Sequence, residues 1–391
     1  MLLLIRNLHY LKSSVTGIRK ERRSRTMSKK ADAEQIYKEL AARVGAEKGE
    51  VAPIYKELAA KIGMGESEHM QRIIAKLANL EQAKIVAALP DPYRPESSGR
   101  SLEVSDEFAK KLNMDKKVVD KHIRELYEKG LLFPTKKGPS MARTFIQLHD
   151  AALGNPKFDK QLGRGYFDLW GFLEGPMRQP RPEDMGQHGE FRVLPRWKSI
   201  ENVPGVQPFE DIRAILKSQD LIVLLHCGCK RSHTDRWCGV PEESCITVGR
   251  TAQYNLDRGA GRKITYEQAL ELLDRLDQYP MVNATVNQRE VNQLVCNCHY
   301  CCCLAIKIAA KSRFVAEVHP DKCQACGTCV ERCQFGAISM KHYPEFGGER
   351  ACVDSELCRG CGCCVISCPS GARTMKLVRP PEHVPESVTI Y

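Results

Sequence analysis

The first 226 of the 391 residues contain no cysteine, yet the chain holds nineteen. No disulfide or thiolate metal chemistry can therefore lie in the first half. The odd count, without a secretory signal, argues against a disulfide framework and for a reducing, cytoplasmic setting. Long apolar runs are also missing. LIVLL at 221–225 is typical, far short of the roughly 18–20 residues a membrane span needs. No GxGxxG or P-loop pattern is found to hold a flavin, a nicotinamide or an NTP. The first 30 residues have one acid, Glu21, against nine Lys and Arg, which is +8 of the formal +11. Arg6 interrupts the apolar opening after four residues, so a signal peptide is not expected. A basic nucleic-acid arm, an organellar transit segment and a true start at Met27 are the remaining readings, with Met27 preferred. The net charge then says little about partners.

IYKELAARVG at 36–45 recurs as IYKELAAKIG at 54–63, with Gly45, Gly49 and Pro53 between the copies. This is a local duplication of two short helices. Met70, Ile73, Ile74 and Leu77 then follow helical spacing. Ser105 caps DEFAKKL, and Asp115 caps KKVVDKHIRELYEKG, whose Val119, Ile123 and Leu126 share a face and whose Gly130 is a stop. LLF, a turn KKGPSMAR and the alternating TFIQL read as a two-stranded wing. This unit resembles a winged helix. Lys116, Lys117, Lys121 and Arg124, with Lys136, Lys137 and Arg143, could meet phosphates. Asp115, Asp120, Glu125 and Glu128 lie among them, so a structural or docking role is the stronger expectation. Residues 149–210 read as a helix-containing connector with aromatic packing, then an exposed polar excursion, PMRQPRPEDMGQHGEF.

The cysteines carry the chemistry. CQACGTCVERC at 323–333 and CRGCGCCVISCP at 358–369 share the spacing C-x2-C-x2-C-x3-C. They resemble bacterial two-cluster ferredoxins over about residues 314–378. In those proteins the fourth cysteine of each run serves the other cluster. The resemblance implies one [4Fe–4S] cluster on Cys323, Cys326, Cys329 and Cys368, and another on Cys358, Cys361, Cys364 and Cys333. Gln334 departs from the usual proline, and Cys352 and Cys363 are extra and read as non-ligands. Zinc would need only paired CxxC knuckles. Lys322, Arg332, Arg359 and Arg373 flank the runs.

Upstream, HCGCKRSHTDRWCGVPEESC holds Cys227, Cys229, Cys238 and Cys245, and VCNCHYCCC holds Cys296, Cys298, Cys301, Cys302 and Cys303. The LIVLL strand delivers the CxC pair. TVGRTAQYNL reads as helix, Thr265 and Gln268 as a capping box before a helix at 267–278, and MVNATV as a strand leading to Cys296. A small α/β domain could unite the two sets. From about residue 70 onward the chain resembles iron–sulfur proteins of anaerobic bacteria and archaea. These join a winged-helix-like region, a CxC block, a cysteine-run block and two ferredoxin motifs. The family implies electron transfer or a redox-partner role. His299 stands where that family often has another cysteine.

The nine central cysteines could hold one cluster on Cys227, Cys229, Cys238 and Cys245, and another on Cys296, Cys298, Cys301 and either Cys302 or Cys303. The two sets could also share one cluster. Structural zinc and redox-switch thiols are the alternatives. His226, His233 and His299 are expected to pack rather than ligate. The expected architecture is multidomain α+β. It comprises a helical extension at 1–66, a winged-helix-like domain at 67–150, a connector at 151–210, a small α/β cysteine-rich domain at 211–312, and a ferredoxin-like 2[4Fe–4S] domain at 313–391. The expected function is electron transfer with a protein partner, namely a ferredoxin, a dehydrogenase or a reductase subunit. A cluster-dependent DNA-binding regulator and a redox enzyme subunit are the alternatives.

Overall fold

A computed structural model describes residues 35, 38–45, 50–90, 101–178, 189–233 and 239–388. The chain divides into two compact units, Met1–Glu47 and Lys48–Tyr391. In the first, residues 38–45 are helical.

The second unit opens on α1 (Pro53–Ala60), which is the second copy of the repeat, then α2 (Glu68–Leu77) and α3 (Leu80–Ala88). The spaced apolar residues Met70, Ile73, Ile74 and Leu77 are all buried. Next come α4 (Asp106–Lys111), α5 (Lys116–Glu128) and a hairpin of β1 (Leu132–Thr135) with β2 (Gly138–Met141). The caps are those expected. Ser105 Oγ accepts from the Phe108 amide at 3.2 Å, and Asp115 Oδ1 from Lys117 at 2.8 Å. The wing differs from expectation. GPSM is its second strand, and TFIQL lies in α6 (Phe145–Leu153), where the Thr144 hydroxyl caps the Gln147 amide. That cap outweighs the alternation of a five-residue window. The sixteen-residue α7 (Asp159–Glu174) follows.

A six-stranded sheet in the order β3-β7-β8-β5-β4-β6 forms the centre, and every pairing in it is antiparallel. Its strands are β3 (Phe191–Leu194), β4 (Ile222–His226), β5 (Glu243–Val248), β6 (Gly261–Ile264), β7 (Val282–Val286) and β8 (Leu294–Cys298). The edge strand β3 comes from the stretch expected to be only a connector, so the sheet reaches back beyond residue 211. Side chains alternate across it. Ile222 and Leu224 of β4 pack with α9 (Ile212–Lys217) and α12 (Tyr266–Leu276), whereas Val223 and Leu225 face Ala252 on α11 (Gly249–Asp257). The stretch read as the helix TVGRTAQYNL thus begins as the end of β5 and turns helical only at Gly249, whose φ of 56° places it in the left-handed region. Thr265 and Gln268 make the reciprocal capping box at 3.2 and 2.9 Å.

Buried polar contacts bind the helical half to the sheet. Arg258, after α11, donates to the carbonyls of Ala151 at 2.6 Å and Glu128 at 3.2 Å. Phe133 of the hairpin stacks on Tyr254 at 4.6 Å, so the hairpin's base is anchored to the sheet layer. The C-terminal region consists of β9 (Phe314–Val318) paired with β12 (Arg373–Leu377), and β10 (Ile338–Tyr343) paired with β11 (Gly348–Val353), with short helices α13 (Thr328–Arg332) and α14 (Cys363–Ile366). It docks on α8 (Trp197–Ile200). A Cβ on Gly362 would lie 2.0 Å from Ser199 Oγ, and the Arg196 amide donates to the Cys361 carbonyl at 2.9 Å. Among the described residues no helix is long and apolar enough to cross a membrane.

Candidate metal centres

In the C-terminal region each cysteine run wraps a tight loop that enters its short helix through a left-handed glycine, Gly327 at φ 76° and Gly362 at φ 74°. The loops border two openings, each with about 330 Å³ of empty space partly continuous with solvent. Cys323, Cys326, Cys329 and Cys368 line the first, and Cys333, Cys358, Cys361 and Cys364 the second. The first opening takes three thiols from one run and one from the other, and the second takes Cys333 from the first run beside the second run's cysteines, Cys363 among them. Amides point at sulfur, Ala351 at Cys323 (3.5 Å) and Ala337 at Cys333 (3.2 Å). Such bonds favour thiolate. The Thr328 hydroxyl lowers the pKa of exposed Cys326, while burial raises those of Cys333 and Cys364. Thiols converging on apolar openings fit an iron–sulfur group by donor chemistry.

The two extra cysteines are placed differently. Cys352 pairs with Ser339 within the β10–β11 hairpin. Cys363 borders the second opening, but its thiol is bonded to the Met281 carbonyl at 3.2 Å. Gln334 also has a structural reason. Its side-chain oxygen accepts from the Tyr300 amide at 3.1 Å, and Tyr300 meets Phe335 edge to face at 6.0 Å. Proline there could not make that bond.

Six of the nine central cysteines, drawn from both sets, come together in one assembly. The pairing of Ile246 with Val295 leads to Cys245 beside Cys296, and strand alternation puts Cys298 on the same face as Cys296. A bulge at Leu225 and His226 ends β4 and turns the CxC loop, with the short α10 (Gly228–Arg231), back over that face. Thiol contacts then close a ring: Cys227 with Cys229 and Cys245, Cys229 with Cys303, Cys303 with Cys298, Cys298 with Cys296, and Cys296 with Cys245. The Cys303 and Cys298 sulfurs are 3.3 Å apart. Thiol hydrogen bonds from Cys229 and Cys245 hold Cys227 well below its ordinary pKa, and those from Cys229 and Cys298 do the same for Cys303. Cys229, Cys245, Cys296 and Cys298 are driven up in turn. Six thiols this close cannot all ionise in a dry volume without cations.

Cations are buried around this ring. Lys230 donates to the Pro241 carbonyl at 2.8 Å and to Ser244 Oγ, and its charge helps lower Cys227. Lys307 sits over the Tyr300 ring at 4.8 Å and donates to the Arg178 carbonyl. Burial and then Arg178 bring its pKa down to about 8, against the pull of Cys303, Cys301 and Cys302. Arg178 donates to the carbonyls of Cys302 at 3.0 Å and Cys229 at 3.3 Å. It opens the polar stretch expected to be an exposed excursion, yet its side chain is only 2% exposed. The physical reason is Glu174, wholly buried at the end of α7, which takes hydrogen bonds from Arg178 and from Ser232 (2.7 Å) and lies 3.0 Å from His149 Nε2. Burial opposes a charge on His149, but Glu174 and Asp150 overcome it and lift its pKa to about 10. Gly228, between Cys227 and Cys229, lets the CxC loop pack here. A Cβ would meet Leu153 Cβ at 3.2 Å and His149 Cε1 at 3.3 Å.

The remaining members of the second set lie outside the ring. Cys301 and Cys302 face His299, and Cys238 lies outside the described residues. His226 is 3.9 Å from Glu242, and His233 is buried. Sequence reading missed Arg178, Glu174, His149, Lys230 and Lys307. Charged residues in a predicted polar loop or on helices carry no signal of burial.

The thiol-lined openings define an iron–sulfur protein with a ferredoxin-like C-terminal region. Residues 322–372 match the family described as the 4Fe-4S dicluster domain, which supports iron–sulfur electron transfer as the function. Neither a curated protein nor a solved structure matches the chain.

Proposed function

We propose that the chain is a cytoplasmic electron-transfer protein of anaerobic metabolism. It would carry two [4Fe–4S] clusters on the two thiol quartets of its C-terminal region and a further iron–sulfur centre on the six-thiol ring. When bound, such groups supply one-electron exchange at potentials set by charge, burial and hydrogen bonds to sulfur. The carrying observation is one apolar cluster shared by both regions. Cys298, Cys303, Ile306 and Ala284 from the central layer pack there with Cys363, and with partly buried Cys361, Phe335 and Tyr300. This packing joins the second opening to the ring through apolar side chains. The first opening faces outward through exposed Cys326, which suits contact with a ferredoxin, dehydrogenase or reductase partner. The buried cations Lys230, Arg178 and Lys307 offset the charge of an anionic centre at the ring.

Iron, acid-labile sulfide and zinc should be counted on anaerobically purified protein, wild type and Cys298→Ser/Cys303→Ser. We expect about twelve or more irons in the wild type. The variant should fall to about eight, with the ferredoxin spectrum kept. About eight irons in both proteins, with zinc lost from the variant, would replace the central cluster by structural zinc.

A second reading, a winged-helix DNA-binding regulator, is favoured by one observation. The acids of α5 are engaged, Asp120 by Lys116, Glu125 by Lys129 and Glu128 by Lys157, while Lys117, Lys121 and Arg124 stay exposed. Fluorescence anisotropy on duplex DNA, with oxidised and reduced protein, tests it. Affinity indifferent to both sequence and cluster state would sink it.

A further inference from the structure

Beyond the ring, the turn after β8 gathers a second donor set. The amides of Cys302 and Cys303 both donate to the His299 carbonyl, at 3.3 and 3.1 Å. That tight turn folds the chain so that His299, Cys301 and Cys302 present ligand atoms all within 4.8 Å of one another. His299 Nδ1 is 2.9 Å from Cys301 Sγ. The ring of six closes through Cys227, Cys229, Cys245, Cys296, Cys298 and Cys303. The second cysteine block serves both places. Cys296, Cys298 and Cys303 turn to the ring, and Cys301 and Cys302 turn to the histidine.

We propose that His299 Nδ1 and the thiolates of Cys301 and Cys302 bind one divalent zinc ion, at a mononuclear site separate from whatever the ring holds. Two thiolates and an imidazole are soft and borderline donors, the set zinc favours over magnesium or calcium. A cube would ask for four thiolates, and here only two face the histidine. Zinc with two thiolates and a neutral imidazole carries no net charge, so the site does not compete with the anionic ring for Arg178 and Lys307. Arg178 braces it from behind through the Cys302 carbonyl, at 3.0 Å, and fixes the turn. Three protein ligands leave a fourth tetrahedral position for water or an added donor, as in zinc centres that exchange a ligand. The proposal does not depend on the central iron–sulfur reading.

The test uses the full-length protein purified anaerobically, with zinc and iron counted separately and zinc absorption spectroscopy giving the sulfur count. Wild type should hold about one zinc with two sulfur and two lighter ligands. His299→Ala should bind zinc at least about 100-fold more weakly, since loss of a mere supporting group already costs 10–100-fold. Cys301→Ser/Cys302→Ser should hold none. Iron should be unchanged in both. His299→Cys should regain zinc with three sulfurs, which separates loss of a ligand from loss of fold. If these variants lose iron in place of zinc, the three residues belong to a cluster and the proposal is overturned. Wild-type zinc ligated by four sulfurs, or unchanged zinc in all variants, overturns it as well.

Discussion

Removing Glu174 should destabilise the protein through two stranded cations. Its carboxylate is fully buried and holds Arg178, itself 2% exposed, and His149, 1% exposed. Breaking a buried pair from one side typically costs about 3–5 kcal/mol, because the partner's charge remains without compensation. For a unit of this size about 2 °C of melting temperature goes with each kcal/mol, so Glu174→Ala should melt about 6–10 °C lower. Asp150→Asn is the internal control. Asp150 holds the other nitrogen of His149 at 2.8 Å but is 54% exposed, so its loss should cost under about 1 kcal/mol. Glu174→Gln keeps the shape and removes the charge, and should fall between the two. The assay is an anaerobic thermal melt paired with metal counts, since Arg178 also holds the Cys229 and Cys302 carbonyls. Glu174→Ala should therefore lose central metal before ferredoxin iron. A melting point within about 2 °C of wild type, or an equal loss in Asp150→Asn, would refute the reasoning.

Other outcomes follow from the same contacts. The pKa of His149 is raised from 6.5 to about 10, so its contribution is complete below about pH 6.5 and is lost as pH rises through about 10. Wild type should lose melting temperature across that window, and Glu174→Ala should show a flatter profile. Gly362→Ala places a Cβ 2.0 Å from Ser199 Oγ at a φ of 74°, and should cost at least about 1–3 kcal/mol while loosening the ferredoxin region, read by limited proteolysis. Cys363→Ala should keep its iron, whereas Cys364→Ala should lose about four irons, the content of one cube. Gln334→Ala removes the bond to the Tyr300 amide, worth about 1 kcal/mol, and should leave iron content unchanged.

The ferredoxin quartets came from the resemblance of the two cysteine runs to two-cluster ferredoxins, whose loop, left-handed glycine and short helix are local. Caps at Ser105, Asp115 and Thr265 were readable for the same reason. The wing's second strand was misplaced because TFIQL alternates over too few residues to outweigh the Thr144 cap. Grouping the central cysteines required strand register. Cys245 meets Cys296 only through the pairing of β5 with β8, two elements nearly fifty residues apart, so sequence left two sites and one shared site equally open. The ion network at Glu174 was invisible, since nothing in a helix ending LEGPMR says that its glutamate faces inward. His299 looked like a packing residue until the turn brought it beside Cys301.

Three of the ring's thiols stand on paired strands, Cys245 on β5 and Cys296 and Cys298 on β8. A hydrogen-bonded ladder resists the small ligand displacements that usually accompany a change of charge. A centre held there would have low reorganisation energy, and its exchange rate would depend mainly on distance and driving force. The sulfur of Cys326, by contrast, is exposed on a loop and has no such ladder behind it.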